Sequence, residues 1–203
     1  MKKYLILILL VGVCWLSFAY HKQQQMVRGE ELVAGAYNGD LVAVKNAVEQ
    51  GAPLGFVVEF DDEENGYVGQ RFNALHAAAS SGNEPVVKYL LQEGLDINTQ
   101  TPQGWTPLFV SARDGQAGVA KLLISRGADL NLQTNLGATA LMMAATQPFE
   151  KQKDRLDLVE YMLRRGADTN LTDKYGHTAL YYAQKQGSEA VVKLLEQYAA
   201  AGN

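Results

Sequence analysis

The chain repeats itself. Leu75, Leu108 and Leu141 stand 33 residues apart, and Leu180 follows 39 residues later. Gly94, Gly127 and Gly166 step by the same 33 and 39. Gly51 precedes Gly94 by 43 residues, as Leu32 precedes Leu75. One register therefore runs along the chain, broken by a 10-residue insertion after the first unit and a 6-residue insertion in the fourth. A fixed period of this length means a stack of small supersecondary units, each burying its apolar face only against its neighbours. That argues against a single globular centre. Roughly three such units make a stable stack, and the register accommodates five between residues 30 and 203.

The units read as pairs of helices. Asn73, Thr106, Thr139 and Thr178 share one position, and a side-chain oxygen there accepts a free N–H of the first helical turn. Pro107 follows Thr106, where its missing N–H is no loss. The first helix of each unit is short and rich in alanine, which allows close approach. The second carries an aliphatic stripe, as in Val87/Leu90/Leu91, Ala120/Leu123/Ile124 and Val159/Met162/Leu163. Gly94, Gly127 and Gly166 end the second helices, where a positive φ is cheap for glycine alone. Glu196 replaces the apolar Leu91 equivalent in the last unit, as expected of a terminal cap with a polar outer face.

These units resemble ankyrin repeats. The third is the plainest, with Gln103-Gly104-Trp105-Thr106-Pro107-Leu108, Val119-Ala120-Lys121-Leu122-Leu123 and Gly127-Ala128-Asp129-Leu130-Asn131. The likeness covers residues 30–199, but only Pro107 keeps the family's proline, only His76 its histidine, and Arg71 stands where glycine is usual. It implies an all-α repeat fold: a solenoid of five helix-turn-helix units with β-hairpin fingers. It also implies a binding module whose contacts lie on the hairpin tips and the exposed, concave face of the first helices. By register, the contact candidates are Phe72, Gln103, Trp105, Arg113, Asp114, Leu136, Tyr175 and His177. Large aromatics such as Phe72 and Trp105 suit protein-binding hot spots. They equally suit packing that stiffens the stack.

The first insertion is the least generic stretch. Phe56–Phe60 and Tyr67–Phe72 are strand-like, and Asn65-Gly66 between them is a strong hairpin signal. An extended β-finger is expected, tipped by Asp61, Asp62, Glu63 and Glu64. Its tip is either a contact for a basic partner surface or a solvated turn. It lacks the alternating ligand spacing of a calcium loop. The second insertion, residues 147–155, is polar and mixed in charge, and reads as a surface loop.

The N-terminus differs from the rest. Behind Lys2 and Lys3, residues 4–18 read YLILILLVGVCWLSF without a charge, and Ser17 and Ala19 stand at the small-residue positions before a cleavage point. A spanning helix needs about 20 apolar residues, more than this run holds. A signal peptide over 1–19, a linker over 20–29 and the repeat domain over 30–203 are expected, with an uncleaved membrane anchor as the rival. Lipidation at Cys14 fits less well, because Val13 stands where a small residue belongs. Each of these routes places the repeats outside the cytoplasm. Without Lys2 and Lys3 the chain keeps 16 basic and 22 acidic residues, a net charge of −6. Nucleic acid is excluded as a partner because phosphate neutralisation needs clustered cations.

Catalysis finds little material. The single cysteine lies in the N-terminal run and there are three histidines. No phosphate-cradling loop, zinc-protease motif or nucleophile elbow occurs. No enzyme, cofactor or metal is expected. The partner is a protein of unknown identity, the chain a monomer, and membrane contact limited to residues 4–20 if they are retained. The resemblance to exported bacterial ankyrin-repeat proteins implies one of two periplasmic roles: an accessory in stress protection, or an immunity protein that inhibits an antibacterial toxin. A membrane-tethered scaffold is the third alternative.

Overall fold

The computed structural model describes residues 2–62, 67–146 and 152–200, with side chains for 17–60, 69–146 and 153–200. Its helices follow one another in pairs: α1 (Lys2–Asn38) with α2 (Leu41–Glu49), α3 (Ala74–Ser81) with α4 (Glu84–Gln92), and α5 (Pro107–Arg113) with α6 (Ala117–Ser125). Then come α7 (Ala140–Ala145) with α8 (Gln152–Arg164) and α9 (Ala179–Lys185) with α10 (Glu189–Ala200). Strands β1 (Val58–Asp62) and β2 (Tyr67–Phe72) lie between the first and second pairs. The odd-numbered helices pack on one another in a row, α1 on α3 on α5 on α7 on α9, and the even-numbered helices form a second row beside it. The core is the seam between the rows, lined by Leu32, Leu75, Leu108 and Leu141 from one side and Val87, Leu90, Leu123, Met162 and Leu195 from the other.

The helix starts follow from their caps. Asn73 Oδ1 accepts the amides of Leu75 and His76, each at 3.1 Å. Thr106, Thr139 and Thr178 Oγ1 accept the amides of Phe109, Met142 and Tyr181 at 3.1, 3.3 and 3.4 Å. Removing such an oxygen costs about 1 kcal/mol per cap. Gly94, Gly127 and Gly166 hold φ of +94°, +91° and +92° just past the second helices. At the far end Leu180 is only half-buried and Glu196 is exposed, since no described pair covers them.

Side chains also tie each pair to its neighbour. Asn83 Nδ2 donates to the carbonyls of Ala36 and Tyr37 at 3.3 and 3.2 Å. Its register equivalent Gln116 donates from Nε2 to the Ser80 carbonyl at 2.9 Å. Arg155 holds the same place in the fourth unit, is buried, and donates from Nη2 to Ser188 Oγ at 2.6 Å. Burial pushes its pKa below the usual guanidinium value. The expectation of a surface loop is thus corrected for its last residues. Residues 152–155 open α8 and Arg155 joins the fourth unit to the fifth, while residues 147–151 lie outside the described residues.

Two other boundaries differ from the sequence reading. Residues 20–29, expected as a linker, are helical: α1 passes through them without a break. Packing begins at Gly29, which is buried, and a Cβ there would overlap the Phe56 ring at 2.2 Å. Strand β1 covers Val58–Asp62 rather than residues 56–60, since Phe56 is taken up against α1. The β1–β2 register pairs Val58 with Phe72, Glu59 with Arg71 and Phe60 with Gln70, and shifts before Asp62 pairs with Tyr67. Among the described residues no helix is long and apolar enough to cross a membrane.

Candidate functional site

The residues singled out by register fall into two groups. The first is internal. Phe72 is 0% exposed, with its ring 5.1 Å from Phe60, 5.4 Å from the stacked His76 imidazole and 6.5 Å from Trp105. It is therefore no contact residue. The extended strand turns its last side chain into the gap between two units, where water is excluded. Trp105 is half-buried on Phe109 at 5.3 Å, and the Arg113 guanidinium covers its ring at 5.1 Å. Arg113 pairs with Asp114 at 3.0 Å, and Asp114 Oδ2 accepts from Ser80 Oγ at 2.7 Å. Gln103 Nε2 donates to the Gly69 carbonyl at 3.1 Å, while the Gln103 backbone carbonyl accepts the Asn135 backbone amide at 3.0 Å. Gln103 and Asp114 thus tie the third unit to the second, while Arg113 bridges Trp105 and Asp114 within the third.

His76 belongs to this group. It is 2% exposed, and Nε2 donates to the Trp105 carbonyl at 3.0 Å, with Nδ1 2.8 Å from Asn73 Oδ1. Burial lowers its pKa from 6.5 to about 4, against the opposing pull of its backbone hydrogen bonds. A folded-state pKa below the unfolded value means the unfolded chain takes up the proton first. Stability from this group is intact above pH 6.5 and falls as pH drops toward 4. Between pH 7.5 and pH 5 the wild type should lose about 2 kcal/mol that His76→Gln does not lose. Urea unfolding of both proteins at the two pH values checks this. Equal losses would remove His76 as the source.

The second group is exposed and lies at the other end. Leu136 is 54% and Tyr175 69% exposed, and they are joined through the Lys174 amide, which donates to the Leu136 carbonyl at 2.9 Å. The Tyr175 ring lies 5.9 Å from His177, and His177 stacks on Tyr181 at 3.7 Å with planes 2° apart. Asp173 underlies the cluster. Its Oδ1 accepts the amides of Tyr175 and His177, both at 2.9 Å, and its Oδ2 accepts Tyr182 Oη at 2.5 Å. Burial pushes the Asp173 carboxyl up, but these hydrogen bonds outweigh it and its pKa is lowered. The same bond, with burial, raises the Tyr182 hydroxyl to about 12.

Register reasoning missed Tyr181, although the signal was present. Tyr181 occupies the position of His76, Phe109 and Met142, which are 2%, 4% and 1% exposed. In the fifth unit no further described unit packs over that position, and Tyr181 is 39% exposed. A groove of about 390 Å³ lies between α1 and β1, lined by Val33, Ala34, Tyr37, Val58 and Phe60. Of the expected acidic tip, Asp61 and Asp62 contribute backbone to β1; their side chains, and all of Glu63 and Glu64, lie outside the described residues. No group of three or more His, Cys, Asp or Glu is placed to hold a metal among the described residues.

Two rows of stacked helices, capped at one recurring position and exposing large side chains on hairpins and first helices, define a helical repeat protein. Residues 32–134 and 121–202 match the family described as ankyrin repeats, three copies. The chain belongs to the ankyrin-repeat family, whose members in general mediate protein–protein binding and typically lack catalysis. It is also 51% identical over 35 residues to "Potassium channel AKT1" of Arabidopsis thaliana. That stretch is 17% of this chain and 4% of the channel, about the length of a single repeat.

Proposed function

We propose that this chain is an exported, non-enzymatic binding module of five repeats that takes a partner protein on the face formed by the odd-numbered helices and hairpins. The observation that carries this reading is the contiguous exposure of Leu136, Tyr175 and Tyr181 on that face. Large apolar side chains gathered in one place mark interaction sites, whereas scattered ones are ordinary. An accessory role in periplasmic stress protection is the setting we favour. Export rests on the charge-free residues 4–18 behind Lys2 and Lys3.

A tethered scaffold is the second reading, supported by the continuity of α1 from Lys2 to Asn38. If residues 1–19 are retained, their charge-free run would hold the repeats beside the membrane. N-terminal sequencing of the protein recovered from cells separates the two: a start at Tyr20 supports cleavage, a start at Met1 the tether. Photo-crosslinkers placed at Tyr37 and Leu136 should trap a discrete partner, and the same groups at Arg126, just past α6, and Lys193 on α10 should not. Adducts only from Arg126 and Lys193 would sink the proposed face.

A further inference from the structure

The exposed cluster at the last unit has a definite order and sign. Lys174 lies over the Tyr175 ring at 4.8 Å, the Tyr175 ring leads to His177, and His177 stacks on Tyr181. Tyr181 and Lys185 are four residues apart on α9, hence one turn apart on the same face. An apolar and aromatic row is thus flanked by exposed ammonium groups at both ends. Asp173, the carboxylate that touches the row, is buried and saturated by two amides and the Tyr182 hydroxyl. Its charge lies beneath the row, 3.6 Å from His177 Nδ1, while the two ammonium groups stand at the surface.

The row is also open and rigid. Asp173 fixes the turn bearing Tyr175 and His177, and the Thr178 cap fixes the start of α9, so little order has to be gained on binding. In the preceding unit the equivalent hairpin is covered: a Cβ on Gly137 would meet Asp173 Cα at 2.8 Å. In the last unit a Cβ on Gly176 would meet nothing within 4 Å. Among the described residues, that side of the hairpin is uncovered.

From this geometry we infer that the row from Lys174 to Lys185 docks an acidic segment of the partner protein, with apolar anchors on Tyr175 and Tyr181 and carboxylates on Lys174 and Lys185. This rests on the protein-binding reading of the same face and names the chemistry of the partner. Exposed lysines at the ends of an apolar patch select complementary charge and repel basic segments.

The test pans a random dodecapeptide library against the immobilised full chain, then measures the affinity of enriched peptides by fluorescence polarisation. The expected peptides combine carboxylates with Leu, Phe or Trp. They should lose about tenfold or more in affinity for Lys174→Glu/Lys185→Glu. They should lose nothing for Lys193→Glu, with thermal unfolding unchanged in both variants. Reversing the peptide's own acids to lysine should restore binding to the Lys174→Glu/Lys185→Glu protein. Basic enriched peptides, or acidic ones indifferent to that variant, would overturn the inference. Peptides that instead lose affinity for Tyr37→Ala overturn it too, yet leave the protein-binding face standing. Self-association of the full chain that disappears in the charge-reversed variant would make a second copy the occupant, and would also overturn it.

Discussion

Phe72→Ala is expected to destabilise the protein by about 3–5 kcal/mol, the usual range for removing a buried aromatic ring. Phe72 ends β2, is 0% exposed, and touches three separate parts of the chain: Phe60 on the facing strand, His76 on α3, and Trp105 with Val110 in the next unit. No neighbour can collapse into the space without dragging a hairpin or helix with it, so a cavity remains. Truncation should loosen β1, β2 and the first two helix pairs together, because each unit leans only on its neighbours. Urea unfolding followed by circular dichroism gives the overall loss. Hydrogen exchange should show α1 to α3 losing protection while α9 keeps it. A loss below about 1 kcal/mol would mean that the ring is no anchor, and Phe72 would return to the list of contact residues.

Gly137→Ala should be far more damaging than Gly176→Ala. The two glycines share one register position and nearly one conformation, φ +78° and +79°. A left-handed backbone costs any L-residue about 1–2 kcal/mol, so both substitutions carry that much. Only Gly137 is covered. Its Cβ would lie 2.8 Å from Asp173 Cα and 3.0 Å from the Thr172 carbonyl oxygen, both backbone atoms of the next hairpin. That hairpin is held by the Lys174 amide on the Leu136 carbonyl and by Gln133 on the Thr172 carbonyl. It must therefore shift, at a further cost of about 1–3 kcal/mol. The pair is a controlled comparison, with identical chemistry and backbone and a different neighbour. Urea midpoints of the two variants that agree within error would mean the hairpins do not stack as described.

The repeat and its helix pairs were legible because periodicity is local arithmetic. Leucines at a fixed spacing, a capping oxygen at one recurring place and a glycine past each second helix need no knowledge of the neighbours. The candidate site was less legible for the opposite reason. Phe72 and Trp105 share a register position, yet the extended strand turns Phe72 inward, while Trp105 stays half-buried under Arg113. Arg155 falls in a polar, mixed-charge stretch of the sequence, but α8 begins before it and carries its guanidinium to Ser188. Similarity to a repeat consensus says which position a residue occupies. It does not say what covers that position.

The position shared by His76, Phe109, Met142 and Tyr181 shows the division. Sequence alone determined that these four residues occupy one place in successive units, just inside the capped first helix. It also determined that the chain would stack helix pairs rather than enclose a single core. Tertiary structure decided that the first three are buried and the fourth is exposed. It also decided that Asp173 is saturated, and that Tyr175, His177 and Tyr181 form one surface with Lys174 and Lys185. The reason is physical. Local conformation depends on each residue and its near neighbours in the chain, whereas exposure depends on what stacks next door, and among the described residues no further unit stacks over Tyr181.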